Sequence, residues 1–279
     1  MVNYVEKSIR TALQEDLSDR GDVTSLSTVP SRKTGNAHII AKEGGIIAGV
    51  EIVETVLHEV DPELKITANV TDGDRVASQQ EVIKIDGSLR SILTGERTAL
   101  NFLGRLSGIA TLTSRFVELT KHTGVRILDT RKTTPGLRLL EKYAVKAGGG
   151  YNHRIGLFDM VLIKENHVTA AGGIRQAVEN SRRYLKQHDL DLKIEVETRN
   201  IDEVRQAVEM GIDRIMLDNM NVDQIATAVA LVNKRVELEI SGGVNLQNIA
   251  EYAETGVDFI SIGALTHSAK ALDFSLLIL

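Results

Sequence analysis

The stretch Leu192-Lys-Ile-Glu-Val-Glu197 alternates apolar with charged residues. Successive side chains of a strand point to opposite faces, so Lys193, Glu195 and Glu197 would share one face. The stretch Val236-Glu-Leu-Glu-Ile-Ser241 repeats the pattern. A parallel sheet that is covered on both sides should be apolar on both faces. We therefore expect the charged faces to look into the interior or mouth of a barrel, where carboxylates need ligands, metals or one another.

Short apolar segments recur through the second half of the chain. Six of them are predicted as strands: Val125–Leu128, Met160–Ile163, Leu192–Val196, Arg214–Leu217, Val236–Ile240 and Phe259–Ile262. The last four end near Glu197, Asp218, Ser241 and Gly263, at spacings of 21, 23 and 22 residues, with helical stretches between them. Such repeated β-loop-α units predict a parallel barrel or a wound parallel sheet.

The first half of the chain has a different pattern, typical of an α+β domain. An amphipathic helix is predicted around Val5–Glu15, followed by short strands between glycine- and aspartate-containing turns. These strands are Gly35–Lys42, Ile46–Val50, Lys65–Val70 and Glu81–Ile85. A helix over Ile92–Thr120 would pass from one half to the other. We therefore predict an N-terminal domain over residues 1–110 and a barrel domain over residues 111–268.

Composition excludes several classes of protein. The 33 Lys and Arg residues against 38 Asp and Glu residues give a net charge of −5, which offers no chain-wide attraction for nucleic acid or a membrane surface. With 0 Cys there is no disulfide, thiolate metal site or cysteine nucleophile. The first residues lack the order of a signal peptide, and no apolar run approaches about 18 residues. A cytoplasmic location is expected.

Charged residues and glycines follow the predicted strands. Active sites of β/α barrels lie at the carboxyl ends of the strands. The segments at these ends are Asp129-Thr-Arg-Lys132, Lys164-Glu-Asn-His167, Glu195-Val-Glu197, Asp218-Asn219, Ser241-Gly-Gly243 and Gly263-Ala-Leu265. Either glycine segment alone is explained by a simple turn. Together, after the last two strands, they favour a phosphate site built from backbone N–H groups.

Basic residues are concentrated between Lys121 and Lys164, where nine Lys or Arg residues face three Asp or Glu residues. Arg138, Lys142 and Lys146 recur every four residues, as on a solvated helix face. Four of the remaining six lie at strand ends or flank the glycine run 148–150 and the next strand, and they could converge on a polyanionic ligand. These are Arg131, Lys132, Arg154 and Lys164.

Two acidic residues, Glu197 and Asp218, end successive strands. Their carboxylates could lie close enough to hold Mg²⁺ beside substrate phosphates. A structural ion pair of Glu197 with Lys193 or Lys164 is an equally good interpretation of the spacing.

With these motifs, the chain resembles the quinolinate phosphoribosyltransferase family, part of the type II phosphoribosyltransferases. The resemblance covers nearly the whole chain. It rests on Gly21-Asp-Val-Thr24, Gly95-Glu-Arg-Thr-Ala-Leu-Asn101, Leu106-Ser-Gly-Ile-Ala-Thr111, Asp129-Thr-Arg-Lys-Thr-Thr-Pro-Gly136, Lys142-Tyr-Ala-Val-Lys-Ala-Gly-Gly-Gly150, Asn152-His-Arg154, Ile163-Lys-Glu-Asn-His167, Glu195-Val-Glu197, Leu217-Asp-Asn219, Ser241-Gly-Gly243 and Gly263-Ala-Leu-Thr-His-Ser268.

The resemblance implies an α/β fold, in which an open, TIM-like α/β barrel follows an N-terminal α+β sandwich that residues 269–279 complete. It also implies a homodimer or larger homo-oligomer. The implied reaction transfers phosphoribose from phosphoribosyl pyrophosphate to the nitrogen of quinolinate, with loss of pyrophosphate and carbon dioxide. Nicotinate mononucleotide for NAD biosynthesis is the product, and Mg²⁺ accompanies the donor.

By matching position, the resemblance also assigns roles to residues. Quinolinate carboxylates would be held by Arg131, His153, Arg154 and Lys164, with Thr130 beside them and Arg97 contributed by the partner subunit. Ribose, pyrophosphate and Mg²⁺ would be handled by Lys132, Glu197 and Asp218, as the catalytic group, with Mg²⁺ held directly or through the donor. The 5′-phosphate would be bound by Ser241, Gly242, Gly243, Gly263, Ala264 and Leu265.

Two small departures from the family pattern are Tyr151, in place of a histidine or small residue, and Glu165, in place of aspartate. Three alternatives remain open at this point. One is a related phosphoribosyltransferase with another acceptor. The second is a barrel lyase with Lys132 or Lys164 as Schiff-base nucleophile, which requires a strongly lowered lysine pKa. The third is a catalytically silent binding module that keeps only the fold.

Overall fold

The computed structural model describes residues 2–279, with side chains from residue 4 onward. In chain order its elements are α1 (Val2–Leu17), α2 (Val23–Thr28), β1 (Thr34–Ala41), β2 (Gly45–Ile46), α3 (Val50–Val60), β3 (Lys65–Ala68), β4 (Arg75–Val76), β5 (Glu81–Ser88), α4 (Leu89–Thr120), β6 (Arg126–Leu128), α5 (Arg138–Ala147), β7 (Val161–Ile163), α6 (Glu165–Ala171), α7 (Ile174–Gln187), β8 (Ile194–Thr198), α8 (Ile201–Glu209), β9 (Arg214–Asp218), α9 (Val222–Val232), β10 (Glu237–Ser241), α10 (Ile249–Glu254), β11 (Phe259–Ser261), α11 (Ala264–His267) and β12 (Phe274–Ile278).

The chain divides into two units, of which the first contains residues up to Ser114 together with Thr133–Gly149 and Leu265–Leu279. Its main sheet is antiparallel, in the order β12-β1-β5-β3. Strand β12 brings residues near the end of the chain to the edge beside β1, with Phe274 opposite Ala41. Alternate residues of β1 are buried, which fits a sheet with one face on a core.

One of the predicted strands in this unit is much shorter than expected. The segment Ile46–Val50 contributes only Ile46 to β2, and helix α3 begins at Val50. Gly49 has a φ of 104° at the helix N-terminus, and the Asp72 carboxylate accepts hydrogen bonds from the N–H groups of Gly49 and Val50. A partner 22 residues away therefore starts the helix, and the local apolar pattern did not reveal it. The other predicted strands and both predicted helices are confirmed.

A buried ion pair joins α4, α5 and the C-terminal segment within the first unit. The Glu141 carboxylate is fully buried and accepts hydrogen bonds from Arg105 Nε at 3.0 Å and Nη2 at 2.7 Å. It also accepts from the Thr134 backbone N–H at 3.0 Å. Arg105 in turn donates to the carbonyl oxygens of Thr266 and Ala269. These contacts fix the start of the segment that follows Lys132.

The predicted solvated face of α5 is wrong for one of its three residues. Lys146 is exposed and Arg138 is half-buried, whereas Lys142 is only 1% exposed. Leu140 and Ala144 lie on the buried face of helix α5. Lys142 lies beside this face, so its side chain is covered although it is charged. The four-residue spacing of the lysines indicated a helix but not which part of it faces water.

The second unit contains Arg115–Lys132 and Gly150–Ala264. Its six strands form one parallel sheet in the order β6-β11-β10-β9-β8-β7. Each predicted strand of this half is confirmed, with ends shifted by one or two residues. Among the described residues, the terminal strands β6 and β7 do not pair with each other. This parallel α/β unit and the antiparallel N-terminal sheet confirm the predicted fold class.

Helices alternate with these strands and start at polar caps. The Asn200 side chain accepts from the Glu203 N–H at the start of α8, and Asn221 and Gln224 form a reciprocal capping box at the start of α9. Strand pairing aligns the carboxyl ends, since Ser241 lies opposite both Asp218 and Ser261. Polar residues from different strands therefore meet at one edge. Within the described part of the chain, no helix is both long and apolar enough to cross a membrane.

Candidate active site

Arg131 follows the end of β6, and Arg154 lies in the segment that leads to β7. Burial lowers the pKa of Arg154, and the neighbouring positive charge of Arg131 lowers it further. Arg154 Nη1 donates to the Met160 carbonyl at 3.2 Å. Among residues 4–279, no acceptor bonds to the buried Nε of Arg131. Two adjacent guanidinium groups with an unused, desolvated donor form a site that favours an anion.

The Arg131 backbone is held by the turn that precedes it. Thr130 Oγ1 accepts a hydrogen bond from the Lys132 N–H at 3.0 Å. Asp129 is completely buried and accepts from the His153 N–H at 2.9 Å, which ties the end of β6 to the segment that carries Arg154. The two arginines are therefore presented by main chain that side-chain hydrogen bonds hold in place.

Lysines and carboxylates occupy the ends of β7, β8 and β9. Lys164 Nζ lies 3.1 Å from a Glu197 carboxylate oxygen, so the predicted ion pair is formed. Burial raises the pKa of Asp218, and so does the negative charge of Glu197, whereas the Asn219 amide, Lys164 and Lys132 lower it. Because the charges of Glu197, Lys164 and Lys132 all affect the pKa of Asp218, the four groups belong to one cluster. Two lysines and two carboxylates thus meet at one edge of the sheet.

The first glycine segment continues this edge. Gly242 and Gly243 have φ values of 93° and 66°, a succession that only glycine adopts easily. The Asn219 side chain lies so close to Gly242 that any Cβ there would collide with it. Asn219 itself adopts a left-handed conformation, with a φ of 55°, and its amide donates to Asp218 at 2.9 Å. The acidic and glycine parts of the site are therefore in contact through Asn219.

Beneath this edge, the inward-facing residues of the sheet form a buried charged cluster. His153 Nε2 lies 3.2 Å from a Glu195 oxygen and 3.4 Å from a Glu239 oxygen. Glu239 also accepts from Arg214 Nη1 at 2.9 Å and from Ser261 Oγ at 2.5 Å. Both carboxylates are 0% exposed, and His153 is 7% exposed. The expected inward charged face exists, and oppositely charged protein groups face its carboxylates.

The electrostatics of this cluster follow from its contacts. Burial raises the pKa of Glu195, and the charge of Glu239 raises it further. Burial also opposes ionisation of Glu239, but its bonds to His153, Ser261 and Arg214 outweigh burial and lower its pKa. Burial lowers the pKa of His153, whereas the two carboxylates raise it, and the carboxylates prevail. Negative charge is therefore concentrated on Glu239.

The structure collects most of the predicted site residues in the second unit: Thr130, Arg131, Lys132, His153, Arg154, Lys164, Glu197, Asp218, Ser241, Gly242, Gly243, Gly263 and Ala264. Leu265 belongs to the first unit and is fully buried, and Arg97 is exposed on α4 of that unit. Arg214, which begins β9, and Ser261, which ends β11, had no role predicted from the sequence. A polar side chain within a predicted strand was the only feature of the sequence that could have singled out either residue.

Comparison with known proteins gives two family-model matches. The model described as "Quinolinate phosphoribosyl transferase, N-terminal domain" matches residues 22–107, and the model described as "Quinolinate phosphoribosyl transferase, C-terminal domain" matches residues 109–277. Together they cover both units. The resemblance seen in the motifs is thereby confirmed.

Individual relatives agree over nearly the whole chain. "Quinolinate phosphoribosyltransferase [decarboxylating] 1b" of Nicotiana tabacum is 47% identical over 96% of this chain and 80% of its own length. The structure of the nicotinate-nucleotide pyrophosphorylase from Francisella tularensis has a TM-score of 0.94 at 41% identity, covering 99% of this chain and 96% of that one. NadC from Streptococcus pyogenes has a TM-score of 0.94 at 39% identity, covering 100% of this chain and 98% of that one. The chain belongs to the quinolinate phosphoribosyltransferase family.

Proposed function

We propose that the charged edge of the parallel sheet is where this chain joins quinolinate to phosphoribose. The chain is a decarboxylating quinolinate phosphoribosyltransferase of NAD biosynthesis. It transfers phosphoribose from phosphoribosyl pyrophosphate to the pyridine nitrogen, and nicotinate mononucleotide, pyrophosphate and carbon dioxide are the products. The residue roles below are proposals for this chain.

The guanidinium groups of Arg131 and Arg154 are the main support for the proposed position of the acceptor, quinolinate. Two like charges a short distance apart raise the energy of the ligand-free protein, and a dicarboxylate removes that repulsion. Arg131 also keeps a buried Nε donor that a carboxylate oxygen would accept. We assign these two arginines, with Lys164, His153 and Thr130, to the quinolinate site.

The cluster of Lys132, Lys164, Glu197 and Asp218 suits the donor end. As the bond from ribose C1 to pyrophosphate loosens, positive charge grows on the ribose and negative charge on the pyrophosphate. Fixed carboxylates stabilise the first and fixed ammonium groups the second, without a covalent nucleophile. We therefore assign Glu197 and Asp218 to the ribose and Lys132 to the departing pyrophosphate, while Lys164, paired with Glu197, borders the quinolinate site.

The same carboxylates fit Mg²⁺. Hard oxygen donors are what this ion prefers, and Glu197 lies near enough to Asp218 to raise its pKa. Glu197 and Asp218 would hold the ion directly or through the donor. When bound, Mg²⁺ would neutralise charge on the pyrophosphate group. Because Lys164 pairs with Glu197, we expect the lysine to shift toward a quinolinate carboxylate when Mg²⁺ and the donor occupy Glu197.

Two segments are assigned to the 5′-phosphate. Residues Ser241, Gly242 and Gly243 combine a hydroxyl with glycines whose positive φ angles let backbone N–H groups turn toward one point. Gly263, Ala264 and Leu265 follow the next strand, β11, which pairs with β10 in register. Ligand phosphates in barrel enzymes are commonly bound after the last strands.

Assembly and location are further proposals. Arg97 is exposed, and we propose that it enters the quinolinate site of a second subunit in a homodimer or larger homo-oligomer. A mixing experiment tests this: an Arg97→Ala chain and a Lys132→Ala chain, each inactive alone, should regain activity together if sites are shared. A cytoplasmic location is proposed from composition and is tested by cell fractionation.

The function is tested by pyrophosphate release from phosphoribosyl pyrophosphate and Mg²⁺ with quinolinate, with nicotinate or with no acceptor. We expect release with quinolinate alone. Release with nicotinate alone would contradict the two-carboxylate assignment of Arg131 and Arg154. Failure of both acceptors would redirect the search to other acceptors. Borohydride trapping of a carbonyl substrate on Lys132 or Lys164 would instead support the lyase alternative.

A further inference from the structure

The proposed chemistry leaves unexplained the buried cluster of Glu195, Glu239, His153 and Arg214. Two fully buried carboxylates in a barrel interior are costly unless cations and hydrogen bonds satisfy them. Replacement of such groups by apolar residues is often neutral or stabilising in proteins. Stability alone is therefore a weak reason for their presence beneath an active site.

A metal centre is the first explanation to consider, because the ligand atoms of His153, Glu195 and Glu239 lie within 4.8 Å of one another. The charges argue against it. Arg214 Nη1 at 2.9 Å and Ser261 Oγ at 2.5 Å already bind Glu239, so a metal ion would have to compete with both. Because Arg214 already neutralises Glu239, that carboxylate needs no added cation.

The contacts of His153 instead indicate what the cluster does. Nδ1 of the ring accepts the Arg154 backbone N–H at 2.7 Å, so the proton of the neutral ring lies on Nε2. That nitrogen faces Glu195 and Glu239. The His153 backbone N–H donates to buried Asp129 at 2.9 Å. Nδ1 of the ring thus holds the peptide group from which Arg154 extends, and Nε2 lies against the two carboxylates.

We propose that Glu195 and Glu239 are positioning residues for the acceptor: they hold the His153 ring, and through it the Arg154 main chain, in the orientation that quinolinate requires. Arg214 and Ser261 keep Glu239 in place for this task. The inference rests on the proposed function, since it concerns the quinolinate side of the same site. Both carboxylates are fully buried and act through the segment that carries Arg154, so we expect the effect on quinolinate alone.

The test compares Glu195→Gln and Glu239→Gln with Glu237→Gln in the whole protein. Glu237 lies on the same strand as Glu239 and also contacts Arg214, at 3.4 Å, but the structure gives it no contact with His153. Loss of a carboxylate charge that lies 3.2 or 3.4 Å from His153 Nε2 should raise KM for quinolinate about tenfold. KM for phosphoribosyl pyrophosphate should change less than about twofold, and Glu237→Gln should leave both constants at wild-type values.

A rise in both KM values, or an unchanged KM for quinolinate in both variants, would overturn the proposal. If the glutamine variants do not fold, Ser261→Ala removes only a hydrogen bond to Glu239 and should give a smaller, still acceptor-specific rise. Histidine ¹⁵N NMR provides an independent readout, because the His153 Nε2–H signal should shift in Glu195→Gln and remain in Glu237→Gln. An inactive wild-type protein would refute the proposed function, whereas active protein with unshifted quinolinate KM refutes only the positioning.

Discussion

The substitution Arg131→Met should weaken the use of quinolinate without lowering the stability of the protein. The variant keeps a long side chain but removes the buried Nε donor and the charge beside Arg154. Each charge-assisted hydrogen bond to a carboxylate contributes about 1.5–3 kcal/mol. Two such bonds, as in a bidentate pair, amount to about 3 kcal/mol or more, and about 1.4 kcal/mol corresponds to a factor of ten. We therefore expect kcat/KM for quinolinate to fall by about a hundredfold or more.

The same change should not destabilise the ligand-free protein. Arg131 repels Arg154, so its removal relieves an unfavourable interaction, and the free energy of unfolding in urea should stay level or rise. Arg126→Met is the matched control: this arginine lies at the other end of β6, where its guanidinium stacks on Phe259 at 4.5 Å. The control should keep full kcat/KM for quinolinate. A wild-type kcat/KM in Arg131→Met, or a large loss of stability, would refute the reasoning.

Three further predictions concern other parts of the molecule. Lys132→Ala and Glu197→Ala should each lower kcat at least about a hundredfold with an unchanged circular dichroism spectrum, because each removes a charge to which we assign stabilisation of the transition state; wild-type turnover in both would remove them from the mechanism. Glu141→Ala should lower the free energy of unfolding by about 3 kcal/mol in a urea titration, because it leaves the half-buried Arg105 without its carboxylate; a loss below about 1 kcal/mol would contradict the importance of that pair. Gly242→Ala should raise KM for phosphoribosyl pyrophosphate with little effect on KM for quinolinate, because a methyl group collides with Asn219 and strains a positive φ; equal changes in both constants would place the segment outside the phosphate site.

Local patterns were sufficient to predict the barrel half. Alternation in Leu192–Glu197 predicted an inward charged face, and Glu195 is indeed buried among charged groups. Parallel pairing then aligns strand ends, so residues that follow different strands had to meet at one edge. The clustering of Glu197, Asp218 and the two lysines is a direct consequence of that geometry.

The features that escaped prediction depend on tertiary packing. Arg214 neutralises Glu239 because the pairing of β9 with β10 brings the two residues close together. The sequence of either strand alone does not reveal this register. Similarly, the environment of Lys142 is decided by what packs on α5, since the helix pattern is compatible with exposure or burial. The start of α3 at Val50 requires Asp72, which a local window does not contain.

The pairing of β12 with β1 has a consequence for how the first unit is made. Strand β1 is synthesised long before its neighbour at the sheet edge, in which Phe274 lies opposite Ala41. Until β12 has also left the ribosome, the hydrogen-bonding groups along that edge of β1 face solvent or other chains. Closure of this sheet therefore needs contacts across a very long sequence separation, and such contacts form slowly. A nascent chain of this protein carries an open, aggregation-prone strand edge throughout the synthesis of the residues between β1 and β12.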